Sequence, residues 1–161
     1  MSLPALKDVN CLFDDEQSAL SHLQKVLEEE SAALLDRDIL AIESITPKKV
    51  TALKTYQAHV NRRLDFLLQH ELEGSEQGLL TLIASFPQSE HERLTSQWHS
   101  LKQGFEDVIA INERNGIVIY HNQQRNRNLL KILHGGKNEP NLYNGSGAAQ
   151  GHSQRQRLGE A

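Results

Sequence analysis

Eight histidines and one cysteine are the side chains of this 161-residue sequence best suited to bind a metal or act as a nucleophile. A zinc site needs ligands that recur at short, fixed intervals, such as two histidines four apart on one helix face or a cluster of cysteines. His91 and His99 bracket Glu92 without the His-Glu-x-x-His spacing, and His22, His59, His70, His121 and His134 are scattered among polar neighbours. No metal site is expected. Cys11 has no second cysteine to pair with and no activating arrangement beside it, so it reads as a small helix-face residue in a reducing compartment. No glycine-rich phosphate loop and no Gly-x-Ser-x-Gly elbow occurs. With no nucleophile–base pair in view, no catalysis and no cofactor is expected.

Nucleic acid and anionic membranes are poor partners on the same grounds. The formal charge is −4, and the basic groups Arg62-Arg63 and Arg125, Arg127, Lys131 lack interleaved aromatics. No apolar run approaches the ~20 residues that span a bilayer, and Met1 to Asn10 has neither a basic start nor a long apolar stretch. A soluble, cytoplasmic chain is expected, whose chemistry is contact with another protein.

The elements that would present such a contact are helices. Aromatics at 5% and hydrophobics at 38% favour helices with one narrow apolar stripe over a thick central core. Over about 8–44, Phe13, Leu20, Leu27 and Leu34 recur every seven residues, with Leu12, Ala19, Leu23, Val26 and Ala33 beside them. Asp36 and Asp38 mark a slight break before Ile39, Ile42 and Ile45 resume the stripe. Thr46-Pro47 reads as an N-cap with proline at the first helical position, closing one helix and opening the next. The second helix, about 47–72, lines one side with Val50, Leu53, Val60, Leu64, Leu67 and Leu68. A short connection makes the two antiparallel neighbours. Glu28, Glu29 and Glu30 in the first helix stand against Lys48, Lys49, Lys54, Arg62 and Arg63 in the second, either pairing across or forming solvated faces. Gly74 and Gly78 interrupt the pattern, and Leu79 to Phe86 is a short helical segment ending at Pro87. Ser89 and Glu92 form a capping-box pair that opens the longest helix, about 89–134, stopped by Gly135-Gly136.

That last helix has two unlike halves. Its seam begins Leu94, Trp98, Leu101, Phe105, Val108 and continues as Asn112, Asn115, Ile119, Asn122, Asn126 before returning to Leu129 and Leu133. Ile109, Ile111, Ile117, Val118, Ile119 and Tyr120 crowd around Gly116, whose interior position costs about 1 kcal/mol of helix stability against alanine. Two readings are open. The apolar residues contact another chain, or they pack on the far ends of the first two helices while the asparagines set register. Beyond Gly136, Asn, Gly, Ser and Gln dominate to Ala161, a composition that cannot bury enough surface to order itself. Within this tail Leu142-Tyr143 is either a linear docking element or an anchor back onto its own bundle. The expected fold is all-α: an elongated, coiled-coil-like antiparallel bundle of three main helices over 1–134, with a flexible tail over 135–161.

The run Asn112-Glu113-Arg114-Asn115-Gly116, then Asn122-Gln123-Gln124-Arg125-Asn126, then Leu129-Leu130-Lys131-Ile132-Leu133 resembles the FlgN family of flagellar type III export chaperones. Glu139-Pro140-Asn141-Leu142-Tyr143-Asn144-Gly145-Ser146-Gly147 resembles that family's Pro-x-Leu-Tyr…Gly segment, and Leu34-Leu35-Asp36-Arg37-Asp38 with Lys48-Lys49 and Arg62-Arg63 fits its looser pattern. The resemblance implies a chaperone that holds the C-terminal regions of hook-associated (hook-filament junction) proteins, prevents premature assembly and delivers them to the cytosolic domain of the export gate. By the same resemblance the client surface is Asn112, Asn115, Gly116, Ile117, Ile119, Tyr120, Gln123, Asn126, Leu129, Leu130 and Leu133, and the gate-docking residues are Leu142 and Tyr143. The sequence departs from the family in having Asn144-Gly145-Ser146-Gly147 where an acidic residue is usual before the last glycine. The competing assignment is a helical adaptor, or a coiled-coil protein that self-associates through its third long helix.

Overall fold

The computed structural model describes residues 4–134, and among these the secondary structure is wholly helical: α1 (Leu6–Asp36), α2 (Ile39–Gln69), α3 (Glu76–Ala84) and α4 (Gln88–Leu133). The chain divides into two units, Met1–Gln123 and Gln124–Ala161, so the boundary expected at Gly135 falls inside the second. The tail expected over 135–161, with Leu142 and Tyr143, lies outside the described residues.

In the first unit α1 is the central rod, 31 residues or about 46 Å at 1.5 Å per residue. Its heptad stripe is buried as its spacing requires: Phe13, Leu20, Leu27 and Leu34 all face inward, with Leu12, Ala19, Leu23, Val26 and Ala33 beside them. Each such leucine contributes about 1.5–3 kcal/mol of burial. Cross-links fix the helix directions. Asp15 accepts from Arg62 Nη1 at 2.8 Å, Glu16 accepts from Arg63 Nε at 2.7 Å and Glu30 accepts from Lys49 Nζ at 3.0 Å, so α2 runs antiparallel to α1. Arg93 donates to Asn10 at 2.7 Å, Phe13 stacks on Trp98 at 6.4 Å, and Asn115 donates to the Leu27 carbonyl at 2.9 Å. The α4 stretch of this unit therefore runs in the direction of α1, giving an up-down-up antiparallel bundle. The expected pairing of the acid-rich first helix with the basic second holds for Lys49, Arg62 and Arg63, whereas Lys48 and Lys54 are solvated.

The turn between the first two helices corrects the expected boundary at Thr46-Pro47. It lies at Arg37-Asp38. Arg37 takes the left-handed conformation (φ 55°), the Asp38 N–H returns to the Ala33 carbonyl at 3.0 Å, and the Asp38 carboxylate accepts from the Ala41 N–H at 3.0 Å as the N-cap of α2. Pro47 sits inside α2, where it supplies no N–H to the ladder, and the Thr46 hydroxyl donates to the Ile42 carbonyl instead of capping. Ser89 and Glu92 likewise form no capping box. α4 starts one residue earlier, with the Pro87 carbonyl accepting from the N–H groups of Glu90 and His91, both at 2.9 Å.

α3 fills the end of the bundle where α2 stops and α4 starts. Leu79, Leu82 and Ile83 are buried in the core with Val9, Phe13, Leu67 and Leu94. Gly78 admits no side chain, since a Cβ there would lie 1.9 Å from the Glu73 carbonyl oxygen. Glu76, at the first turn of α3, accepts from Trp98 Nε1 at 3.0 Å and from Lys102 Nζ at 2.7 Å. The Lys102 bond, then the Trp98 bond, holds its carboxyl below the usual range. Beneath this lid the Glu16–Arg63 pair is buried, and the Arg63 guanidinium lies over the Trp98 ring at 4.8 Å. Burial, and then the Glu16 charge, push the neighbouring Tyr56 hydroxyl up to about 12.

Candidate functional site

The side chains singled out for metal or nucleophile chemistry are spread along the helices. Among the described residues, no three His, Cys, Asp or Glu side chains are placed to hold an ion. Cys11 is exposed on α1, its Sγ 3.7 Å from Asp15 Oδ2. Among the described residues no helix is long and apolar enough to cross a membrane.

What the structure concentrates is uncovered apolar surface at the end of the first unit opposite α3. There α1 ends, α2 begins and α4 runs on past Val108. The buried face of α4 drifts as a straight helix must relative to a seven-residue repeat, by ~20° per heptad. The inward residues are Leu94, Trp98, Leu101 and Val108, then Ile111 and Asn115, so the expected seam is corrected at Phe105 and Asn112, which turn outward.

Asn115 is inside the subunit. Its amide donates to the Leu27 carbonyl and, at 2.8 Å, to Glu30 Oε2, while its Oδ1 accepts from the Ser31 hydroxyl at 2.6 Å. Glu30 also accepts from Lys49 through both oxygens, at 3.0 and 3.2 Å, so one buried polar layer joins all three long helices. A buried amide with every group partnered fixes register, because a slipped alignment would leave the Glu30 charge unmatched. The register reading of the asparagines therefore applies to this one: Asn115 is 3% exposed and its amide is turned into the subunit, at the floor of the groove that also borders Ile111 and Val118.

The other expected client residues of the first unit are outward. Ile117 and Tyr120 are each 58% exposed, Asn112, Gly116 and Gln123 are exposed, and Ile119 is half-buried. A Cβ built at Gly116 would meet nothing within 4 Å. On the α1 side of α4 a groove of about 520 Å³ is lined by Leu34, Leu35, Ile111 and Val118, with Glu28 and Arg114 at its rim. Leu35, Ile39 and Leu40 on the α1–α2 turn stand still further out, Leu35 at 81% exposure. In the second unit Asn126 is exposed, and Leu129, Leu130, Ile132 and Leu133 all lie more than half in solvent. Leu142 and Tyr143 are outside the described residues.

Sequence reading missed several members of this surface. The spacing places Val50 and Leu53 on the apolar side of α2 and Phe105 on the seam of α4, yet all three are exposed, as is Ile109 from the group around Gly116. The signal was present in the excess: α4 carries more apolar residues around Gly116 than one helix face can hold.

Comparison with known proteins adds one finding. A family model described as FlgN protein matches residues 1–151, nearly the whole chain. No curated protein matches, and no solved structure matches.

Proposed function

Because the chain belongs to the FlgN family of flagellar export chaperones, we propose that it acts in the cytoplasm by holding the C-terminal regions of hook-filament junction proteins until export. The observation that carries this reading is the apolar surface left uncovered on α4 after the bundle has closed. The client-binding residues in this proposal are Asn112, Gly116, Ile117, Ile119, Tyr120 and Gln123 in the first unit. Asn126, Leu129, Leu130 and Leu133 serve in the second. Burial of apolar area contributes about 25 cal/mol per Å², and ordering of the client offsets part of it, which keeps the complex reversible. Leu142 and Tyr143 are the proposed docking element for the cytosolic domain of the export gate, a role suited to an apolar pair in a polar segment.

Ile117→Asp is expected to lower affinity for a C-terminal fragment of a junction protein by tenfold or more in calorimetry, with an unchanged helical spectrum. A folded variant that binds like wild type would remove the surface from the mechanism. Tyr143→Ala is expected to leave that affinity intact while lowering secretion of the client.

A further inference from the structure

A second open face lies between α2 and α4, and the chaperone reading does not by itself say what fills it. On α2 the residues Ile42, Thr46, Lys49, Leu53, Tyr56 and Val60 step by four and three, the spacing of a coiled-coil seam. On α4 Phe105, Ile109, Asn112 and Gly116 do the same. The two stripes meet only near α3, where Tyr56 stacks on Phe105 at 6.0 Å and a cleft of about 320 Å³ runs down to Trp98. Farther from α3 the stripes diverge: Val50, Leu53 and Ile109, like Phe105, remain 41–46% exposed, and no side chain approaches Gly116.

We propose that this open face, with the cleft at its α3 end, seats one amphipathic client helix, which completes a four-helix bundle with α1, α2 and α4 and carries basic residues a heptad apart against Glu106 and Glu113. The inference rests on the chaperone reading and specifies how the client is held. Charge selects the occupant. Glu106 and Glu113 directly follow the seam positions Phe105 and Asn112, so they occupy the flanking position of successive heptads, where charge sets partner choice. Both are exposed, and neither is paired with a basic side chain among the described residues. On the opposite lip the same flanking positions of α2 are Glu43, Val50 and Gln57, all exposed, so the charge there is a third carboxylate, while Lys102, which also borders the cleft, is paired with Glu76. A second copy of the chain laid antiparallel on this face would bring the same acids together, a repulsive arrangement, whereas a basic-flanked helix neutralises them. Gly116 lets the backbone of that helix approach closely.

Trp98 is the only tryptophan of the chain and lines the base of the cleft, so its fluorescence reports occupancy. Two tryptophan-free peptides of about 21 residues, or three heptads, with one leucine stripe and either Lys or Glu at the flanking positions are the probes. The Lys peptide is expected to bind about fivefold tighter or more at low ionic strength, with the difference closing in high salt. The double variant Glu106→Lys, Glu113→Lys is expected to reverse the preference. Leu53→Ser with Ile109→Ser is expected to weaken both the Lys peptide and a junction-protein fragment by tenfold or more. If that folded variant binds the fragment like wild type, this face is not the seat although the chaperone reading stands. If wild type binds no junction fragment, the chaperone reading itself fails, and the peptides still judge the face. A dimer seen by light scattering and dissolved by the same two substitutions would overturn the proposal in favour of self-association.

Discussion

The two ends of the first unit are built from the same three long helices and finished differently. At the α3 end the core is closed by a short helix, a ring stack and the buried Glu16–Arg63 pair. At the other end the polar layer of Glu30, Lys49 and Asn115 sets the alignment, and beyond it leucines and isoleucines stay in water. Stability and reactivity are thus separated along one set of rods. The closed end completes the core, the polar layer fixes the register, and beyond that layer apolar surface is left uncovered.

The largest test of that division lies at the closed end. Arg63→Ala leaves Glu16 charged, buried and without its guanidinium, and is expected to cost about 3–5 kcal/mol in urea denaturation. Replacing both partners by methionine and leucine is expected to be close to neutral, since each ion's desolvation is then avoided. A loss below about 1 kcal/mol for Arg63→Ala would place the pair in the range of exposed ones and blur the contrast between the ends.

A smaller effect is expected at the polar layer. Asn115→Ala removes the donors to Glu30 and to the Leu27 carbonyl, which should cost about 1–3 kcal/mol. Affinity for a client fragment, measured on the folded protein, should not change, because the amide points into the subunit. A client defect as large as that of Ile117→Asp would return Asn115 to the contact surface.

How much of this could be read from residues alone follows from what periodicity encodes. The sevenfold recurrence of Phe13, Leu20, Leu27 and Leu34 specifies the buried face of α1 because α1 has neighbours on both sides. α2 and α4 meet α1 on one face and diverge on another, and the same 3–4 spacing marks both faces. Val50, Leu53 and Phe105 were therefore indistinguishable from core until coordinates showed which stripes meet. The turn at Arg37-Asp38 shows in the sequence only as a slight break at Asp36 and Asp38, because Thr46-Pro47 carries the stronger local signal, whereas proline's missing N–H is tolerable within a long helix. Asn115 was one asparagine among several on a seam, and only the nearby Glu30 and Lys49, distant in sequence, distinguish it. The apolar surplus around Gly116 was legible, since no helix can bury residues on every side against two partners.

Gly116 gives the smallest effect and the sharpest comparison. Alanine is favoured over glycine in a helix interior by about 1 kcal/mol, and nothing lies within 4 Å of the Cβ it would add. Gly116→Ala should therefore stabilise the free chaperone by up to that amount, raising its melting temperature by roughly 2–4 °C. If the open face serves only itself, the substitution has no other consequence. If a client helix crosses closely at this point, the added methyl holds the two backbones apart, and affinity for the junction-protein fragment falls severalfold even as the free protein becomes harder to unfold. A variant that is more stable and binds equally well would show that the glycine is incidental to the contact. One that gains stability and loses affinity would show why an otherwise costly residue sits at the centre of the exposed stripe.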